Sequence, residues 1–187
     1  MKTALIFGTI LLAATAPTYA APPAWAPVQA TSRIGFSGTH AGNRFNGTFR
    51  QWKADMRFDP ADLAHSKAVV TIGTASATTG DKLQETSLAQ AEWFDPTQFP
   101  QARFMTSKIS PAGAGRYVAD GVLTIKGKAL PVKLPFALKI NGDTATLAGQ
   151  TTIDRIAYGI GAKSDPAGAW VSKPITITIN ITAKRAK

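Results

Sequence analysis

The clearest pattern along the chain is a strict alternation of apolar and polar residues near its end. From Ile175 to Thr182 every odd position is isoleucine and every even position is polar. Because successive side chains of a strand point to opposite faces, this segment has one apolar face and one polar face. A helix would spread the same isoleucines around its axis, so the pattern predicts a strand. The alternation also occurs earlier, at Leu130, Val132, Leu134, Phe136, Leu138 and Ile140.

Shorter alternating segments predict a protein built almost entirely of antiparallel strands. Asn141-Gly142, between two such segments, is typical of a two-residue hairpin turn. Pro131 and Pro135 lack the N–H that strands use for pairing, so we expect their strand to be irregular. In total we predict roughly eight to ten strands, as in closed barrels and in sandwiches. The further strands are predicted at residues 32–39, 44–49, 54–58, 67–74, 103–109, 116–125 and 145–153.

One long connection interrupts the strand pattern. Residues 82–91 are rich in helix formers and predict a short helix, with Asp81 as its N-cap. Trp93, Phe94 and Phe99 make the connection unusually aromatic. A long connection in a compact domain is usually functional or a cap. We therefore predict a helical cap segment whose aromatic side chains close one mouth of a barrel.

The first 20 residues are predicted to be a secretory signal peptide. Lys2 precedes an apolar run from Ala4 to Ala14, and Thr18-Tyr19-Ala20 provides small residues before a cleavage site. A membrane span would need about 20 apolar residues, more than this run supplies. We therefore expect a periplasmic protein whose mature chain, residues 21–187, is a single domain.

Composition narrows the classes of partner and site. The chain contains no cysteine, which excludes disulfides, cysteine metal sites and a lipid-anchored N-terminus. It has 21 Lys and Arg against 11 Asp and Glu, and loss of Lys2 with the signal leaves a net charge of +9. Such a charge favours anionic membrane surfaces or phosphate-bearing ligands, although dispersed charge also serves solubility alone. The basic residues form no run that would mark nucleic-acid binding, so we expect no nucleic acid as partner.

The sequence offers little for catalysis or metal binding. Its two histidines, His40 and His65, have no histidine or cysteine neighbour at metal-ligand spacing. The chain also lacks the Gly-x-Ser-x-Gly motif that would present a nucleophilic serine. We therefore expect no catalytic residues, no metal and no cofactor. His40 has three open interpretations: a surface residue, a structural residue at the barrel end, or a donor to a ligand head group.

A series of short motifs occurs in a fixed order across nearly the whole mature chain. They are Ser32-Arg33-Ile34-Gly35-Phe36 with His40, Gly47-Thr48-Phe49, Phe58-Asp59-Pro60, Ala77-Thr78-Thr79-Gly80-Asp81, Trp93-Phe94-Asp95, Phe99-Pro100, Phe104 and Gly121-Val122-Leu123-Thr124-Ile125-Lys126-Gly127. Together these motifs resemble the YceI-like family of exported lipid-binding proteins. The resemblance implies an extended antiparallel β-barrel of lipocalin-like shape. It also implies an apolar tunnel that holds a long isoprenoid chain, with the polar head near one mouth.

The chain departs from that family in two places. Many members carry Arg-Asp-x-His-Leu after the Thr-Gly pair, whereas residues 81–88 here contain neither that arginine nor that histidine. The segment from Tyr158 to Trp170 resembles one branch of the family, which has Gly-x-Gly and a downstream tryptophan. We therefore expect the polar end of the pocket to differ from that of other members.

The candidate ligand contacts are mainly apolar residues on predicted inward faces. An ordinary packed core is the alternative interpretation, since small barrels fill their interior with side chains. Small residues on the inward faces favour an unfilled tunnel; these are Gly47, Ala68, Ala119 and Gly121. The candidates are Ile34, Phe36, Phe45, Phe49, Met56, Phe58, Trp93, Phe94, Phe104, Leu123, Leu134 and Phe136, with His40 and Arg44 at the rim.

The polar head of a ligand would need contacts at the rim of the tunnel. Arg44, Arg50 and Lys82 are the candidates for a phosphate or quinone oxygen, because cations bind such oxygens well. Solvated surface cations with no ligand are the alternative interpretation.

Three functional hypotheses follow. The first is a periplasmic carrier or scavenger that sequesters an isoprenoid lipid, either polyprenyl or quinone-like, and has no chemistry of its own. The second is a non-catalytic adaptor or stress protein that docks on an anionic membrane or on a membrane redox enzyme. The third is an enzyme that uses His40 with a nearby carboxylate. Either a monomer or a homodimer is compatible with the sequence.

Overall fold

The structure is a computed structural model that describes residues 21–186. The predicted signal peptide therefore lies outside the described residues. The strands are β1 (Ala24–Pro27), β2 (Arg33–His40), β3 (Asn43–Phe49), β4 (Trp52–Arg57), β5 (Lys67–Gly73), β6 (Ala77–Thr78), β7 (Gln101–Pro111), β8 (Arg116–Ile125), β9 (Lys128–Asn141), β10 (Thr144–Asp154) and β11 (Pro174–Arg185), and the helix is α1 (Lys82–Leu88).

These strands form a closed barrel with eight positions, because β1 and β2, β3 and β4, and β5 and β6 each share one position. Strand β11 closes the barrel. One of its edges pairs with β10 from Pro174 to Lys184, and the other pairs first with β2 and then with β1. All of these neighbours are antiparallel. The closed, eight-stranded antiparallel barrel with one helix confirms the predicted fold.

The breaks within the shared positions are held together by side chains. A 3₁₀ turn at Gln29–Thr31 separates β1 from β2, and another at Thr74–Ser76 separates β5 from β6. The Ser32 hydroxyl donates to the main-chain oxygen of Thr182 at 3.1 Å. The Ser76 hydroxyl oxygen accepts from the N–H of Gln51 at 3.0 Å. Hydroxyl groups thus replace the missing backbone pairs, and the barrel continues through the breaks.

The two prolines of β9 correct one expectation. Residues 128–137 pair with β8 without interruption, so the predicted irregularity of this strand is wrong. Pairing between β9 and β10 ends at Phe136 and Gly149. Pro131 and Pro135 lie beyond that point, in the half of β9 that has only one neighbour. A residue without an N–H is tolerated at an unpaired edge, so the prolines mark the place where β9 and β10 separate.

The two ends of the barrel differ in the length of their connections. At one end, here called the open end, the strands are joined by residues 58–66, 112–115 and 142–143. At the other, here called the capped end, residues 79–100 and 155–173 form two long connections. Helix α1 belongs to the first of these.

The helix confirms the predicted cap residue but is shorter than predicted. The carboxylate of Asp81 accepts from two N–H groups of the first turn at 2.9 and 3.1 Å, as expected of an N-cap. The helix ends at Leu88 rather than at Ala91. The chain then turns, and the N–H of Phe94 donates to the oxygen of Leu88, which brings Phe94 into the core. Within residues 21–186, no helix has the length and apolar character needed to cross a bilayer.

Candidate functional site

The interior of the barrel contains an apolar cavity of about 150 Å³. The side chains of strand β11 show that this space is unfilled. Ile177, Ile179 and Ile181 line the cavity, yet Ile177 and Ile179 are only partly buried although they point inward. Inward side chains that keep exposed surface indicate that no neighbouring side chain covers them. One water needs about 10–15 Å³ on the same scale, so the cavity has room for roughly ten water-sized groups.

Many of the predicted ligand contacts line this cavity. Their strands alternate as the sequence predicts, so each of these side chains points toward the barrel axis. The structure thus brings them together around one space, and their contact with a ligand stays a prediction. They are Ile34, Met56, Phe58, Phe104, Leu123, Leu134 and Phe136.

The remaining phenylalanine candidates pack against one another toward the capped end. The Phe36 ring lies 5.0 Å from Phe49 and 6.3 Å from Phe45, measured between ring centres. Phe49 in turn lies 5.8 Å from Phe94, which comes from the connection after α1. These residues do not line the cavity. Their rings pack in tilted and edge-to-face pairs, which stabilise the capped end and close the cavity there.

The small residues predicted on inward faces have two different roles. Ala68 and Ala119 line the cavity, as an unfilled tunnel requires. A Cβ at Gly47 would lie 2.2 Å from the Phe36 ring, and one at Gly121 would lie 2.7 Å from the Phe104 ring. The two glycines therefore make room for aromatic rings rather than for a ligand, and the interpretation of them as open space is wrong.

A buried arginine organises the capped end, and the sequence analysis missed it. Arg155, which is 1% exposed, follows directly after β10. Its guanidinium donates to the main-chain oxygens of Ile160 at 2.8 Å and Val171 at 2.7 Å, and to the carboxylate of Asp165 at 2.6 Å. These bonds fix the whole connection 155–173. The one sequence signal is the charged pair Asp154-Arg155 within an otherwise apolar segment, from Ile153 to Ile160.

The carboxylate of Asp165 is held in its charged form. The N–H of Val171 donates to it at 2.9 Å and is the main cause that keeps the pKa of Asp165 below its usual range. Burial opposes this effect, while the N–H groups of Trp170 and Ala169 and the charge of Arg155 add to it. A carboxylate with several N–H donors and an arginine partner is stable as an anion even when buried.

The two connections of the capped end are joined to each other. Trp93 lies 5.5 Å from the guanidinium carbon of Arg155, a cation–π contact. The carboxylate of Glu92 accepts from the N–H groups of Lys163 at 2.7 Å and Ser164 at 3.0 Å, and these bonds lower its pKa. Trp93 thus has a structural role at the cap, and it does not line the cavity.

The predicted rim cations lie away from the cavity. Arg44, Arg50 and Lys82 are exposed at the capped end or near it and do not line the cavity. The charged residues of the lining are instead Arg57 and Lys67, which are register partners on β4 and β5 at the open end. Both are exposed, so the cavity reaches the surface there. The sequence could not reveal which end is open, because that depends on where the long connections fold.

Both histidines are exposed at the surface. His40 is exposed at the end of β2, where its backbone forms an isolated bridge with Val171. His65 lies on the surface with Nδ1 2.8 Å from a carboxylate oxygen of Asp62. Among residues 21–186, no three acidic or histidine side chains are grouped to hold a metal ion. This geometry supports the surface interpretation of His40, whose main chain also helps to attach the connection 155–173.

Comparison with known proteins places the chain among its relatives. The YceI-like domain matches residues 25–183. A UPF0312 protein of Vibrio cholerae is 25% identical over 138 residues, which cover 70% of this chain and 73% of that protein. The crystal structure of Burkholderia cenocepacia BcnA has a TM-score of 0.81 and 34% identity, and the match covers 84% of this chain and 99% of BcnA.

A more distant structure shares the fold. The polyisoprenoid binding domain from Saccharophagus degradans, which is implicated in plant cell wall breakdown, has a TM-score of 0.64 and 12% identity. The match covers 88% of this chain and 99% of that domain. Since the family domain extends over nearly all of the barrel, this chain belongs to the YceI-like family.

Proposed function

We propose that the protein is a periplasmic carrier that sequesters an isoprenoid lipid inside its barrel and catalyses no reaction. The observation that carries the proposal is the apolar cavity of about 150 Å³, around which inward side chains remain partly exposed. An apolar lipid chain would cover that surface and would itself be removed from water. The carrier would thereby move or store a lipid that does not dissolve in the aqueous compartment.

The size of the cavity sets a scale for the affinity. Roughly ten CH₂ groups fit, on the volume that one water-sized group needs. At about 0.8 kcal/mol per buried CH₂, they would contribute roughly 8 kcal/mol. That free energy corresponds to a Kd of about 1 μM before the cost of immobilising the chain. A longer chain would extend through the open end and bury further CH₂ groups, which would raise the affinity without a hydrogen bond inside the cavity.

The polar head of the lipid is proposed to lie at the open end. Arg57 and Lys67 line the cavity there and are exposed. Their charges suit a phosphate or a quinone oxygen. This assignment replaces Arg44, Arg50, Lys82 and His40, which lie away from the cavity.

Two further observations support the proposal. The distantly similar Saccharophagus degradans domain is named for binding polyisoprenoids, and it has the same barrel fold. The first 20 residues have the charge, apolar run and small residues of a signal peptide, which supports a periplasmic location.

Native mass spectrometry of the protein tests the proposal most directly. The full chain would be exported with its own leader and purified from the periplasm without detergent. We expect a mass excess of one lipid per barrel, which solvent extraction releases as a prenyl chain. A bare polypeptide that also fails to take up added farnesol would contradict the carrier function.

A further inference from the structure

One outer face of the barrel carries a row of four apolar side chains, of which three are exposed to solvent and the fourth, Val69, is half-buried. Val69, Met105, Val122 and Pro131 are register partners across β5, β7, β8 and β9. They point outward, because the residues beside them in sequence line the cavity. Met105 is 41% exposed and Val122 is 40% exposed. With strands about 4.8 Å apart, the row is about 15 Å long.

The neighbouring rows on both sides are basic. Two carboxylates, Asp55 and Asp120, also lie on this face, and Asp120 forms an ion pair with Lys133. The positive charge therefore exceeds the negative charge beside the apolar row. The cations are Lys53 and Arg103 on one side, and Arg57, Lys67, Lys108 and Lys133 on the other. We call the apolar row with these six cations the basic face.

We propose that the basic face docks the protein on an anionic lipid bilayer. The cations would lie against lipid head groups of opposite charge, while the central row contacts the acyl region between them. Arg57 and Lys67 belong both to this face and to the lining of the cavity. A docked barrel would therefore bring the open end of the cavity to the lipid surface. The inference goes beyond the carrier function and does not depend on the identity of the cargo.

The shape of the face favours a bilayer over a protein partner. Four apolar side chains, one from each strand, cover much less than the roughly 800 Å² that each partner buries in a stable protein interface. The row lies on regular paired strands, so it offers a band of side chains rather than a deep pocket. A fluid lipid surface requires charge and some apolar contact, but no complementary shape.

Vesicle co-sedimentation with matched variants tests the inference. The variant Lys53→Gln/Arg103→Gln/Lys108→Gln removes three exposed cations of the basic face, none of which lines the cavity. The control Arg33→Gln/Lys139→Gln/Lys184→Gln removes three exposed cations that do not belong to the basic face and has the same net charge. At low salt, on vesicles of phosphatidylcholine with phosphatidylglycerol, we expect the first variant to bind about a hundredfold more weakly than the wild type. We expect the control to stay within a few-fold of the wild type.

A second pair of measurements separates the charged and the apolar contributions. Salt at about 0.15 M should weaken wild-type binding strongly, because it screens charges beyond about 8 Å. Met105→Ser/Val122→Ser should weaken the binding that remains at that salt concentration.

Two results would overturn the inference. Equal losses in both triple variants would show that binding follows net charge rather than this face. Absence of wild-type binding to the anionic vesicles at low salt would exclude the bilayer and leave an acidic protein as the partner. The lipid content of the same samples, measured by native mass spectrometry, reports separately on the carrier function.

Discussion

Nη2 of Arg155 lies 2.6 Å from Oδ2 of Asp165, and the two side chains are 2% and 7% exposed. The pair is surrounded by main-chain groups that hydrogen bond to one partner or the other. Removing one member of such a pair leaves the other as an uncompensated buried charge, which is far more costly than losing an exposed pair. The relationship therefore links the capped end of the barrel to the stability of the whole domain.

Arg155→Met is expected to lower the free energy of unfolding by roughly 3–5 kcal/mol, because the Asp165 carboxylate loses its buried partner. Urea denaturation followed by tryptophan fluorescence measures this change. Lys133→Met is the matched control, since it breaks the exposed pair with Asp120 and should cost less than about 1 kcal/mol. Similar losses in the two variants would show that the buried pair stabilises the protein no more than the exposed pair does.

The same carboxylate is expected to make the protein sensitive to acid. The N–H of Val171 is the main cause of the lowered pKa of Asp165 in the folded state, and Arg155 adds to it. The unfolded chain therefore takes up the proton at a higher pH than the folded protein does. The stabilisation is complete above the unfolded pKa of about 3.9 and is lost as the pH falls through the lower folded value.

Unfolding measured from neutral pH down to about pH 2 should thus show a steep loss of stability below about pH 4. Asp165→Asn cannot titrate, so its stability should start lower and fall less steeply over the same range. Glu85 and Glu92 also have lowered pKa values and supply the remaining slope. An unchanged slope in the variant would show that Asp165 does not cause the loss of stability in acid.

The strands and their inward faces follow from features that a sequence carries locally, whereas the closed barrel is implied only by the resemblance to the YceI-like family. The alternation from Ile175 to Thr182 fixes which side chains face inward, and a strand of this kind must hide its apolar face. The Arg155–Asp165 pair cannot be found in this way, because the partners meet only after the connection 155–173 has folded. A charged residue beside a strand gives the same local signal whether it is solvated or buried.

In the candidate site, too, some features follow from the local sequence and others only from the folded structure. Inward alternation identifies Ile34, Leu123 and Leu134 as lining residues. It cannot distinguish Phe104, which lines the cavity, from Phe36, which packs within the capped end. Likewise, an inward glycine looks the same whether a ligand or an aromatic ring fills the space beside it.

Gly47→Ala tests the close contact between Gly47 and Phe36. The added Cβ would lie 2.2 Å from Cζ of the Phe36 ring, so the ring or the strand must move. We expect a loss of roughly 1–3 kcal/mol in the free energy of unfolding. Gly73→Ala is the control, because the nearest atom to its added Cβ is 3.4 Å away. Adding Phe36→Leu to Gly47→Ala should recover part of the loss; no effect of Gly47→Ala would contradict the contact.

Tyr158→Phe addresses a buried hydroxyl at the capped end. Tyr158 is 2% exposed, and its hydroxyl has no hydrogen-bond partner among the described residues. Burial raises the pKa of its phenol, so the group is neutral at ordinary pH. Because an unpaired buried hydroxyl is costly, its removal should leave stability unchanged or raise it by about 1 kcal/mol. A clear loss of stability in urea denaturation would mean that the hydroxyl is bound by a partner.

Ala119→Phe tests whether the lipid lies in the cavity. Ala119 is 3% exposed, lines the cavity and pairs with Ile109 and Leu134 across its two neighbouring strands. The cavity of roughly 150 Å³ accommodates only about ten water-sized groups, so a phenylalanine ring there would occupy the space that the lipid chain needs. We therefore expect the bound lipid to fall below about a tenth of the wild-type amount. Native mass spectrometry measures the lipid, and circular dichroism checks that the barrel persists.

Val118→Phe is the matched control for this variant, because the neighbouring residue points out of the barrel and should leave the lipid content unchanged. Ala68→Phe repeats the test from β5, two strand positions away from Ala119, and applies if Ala119→Phe does not fold. Normal lipid content in both cavity variants, with the barrel intact, would show that the ligand does not bind inside. Loss of lipid in Val118→Phe as well would show that the barrel as a whole, rather than the filled cavity, had changed.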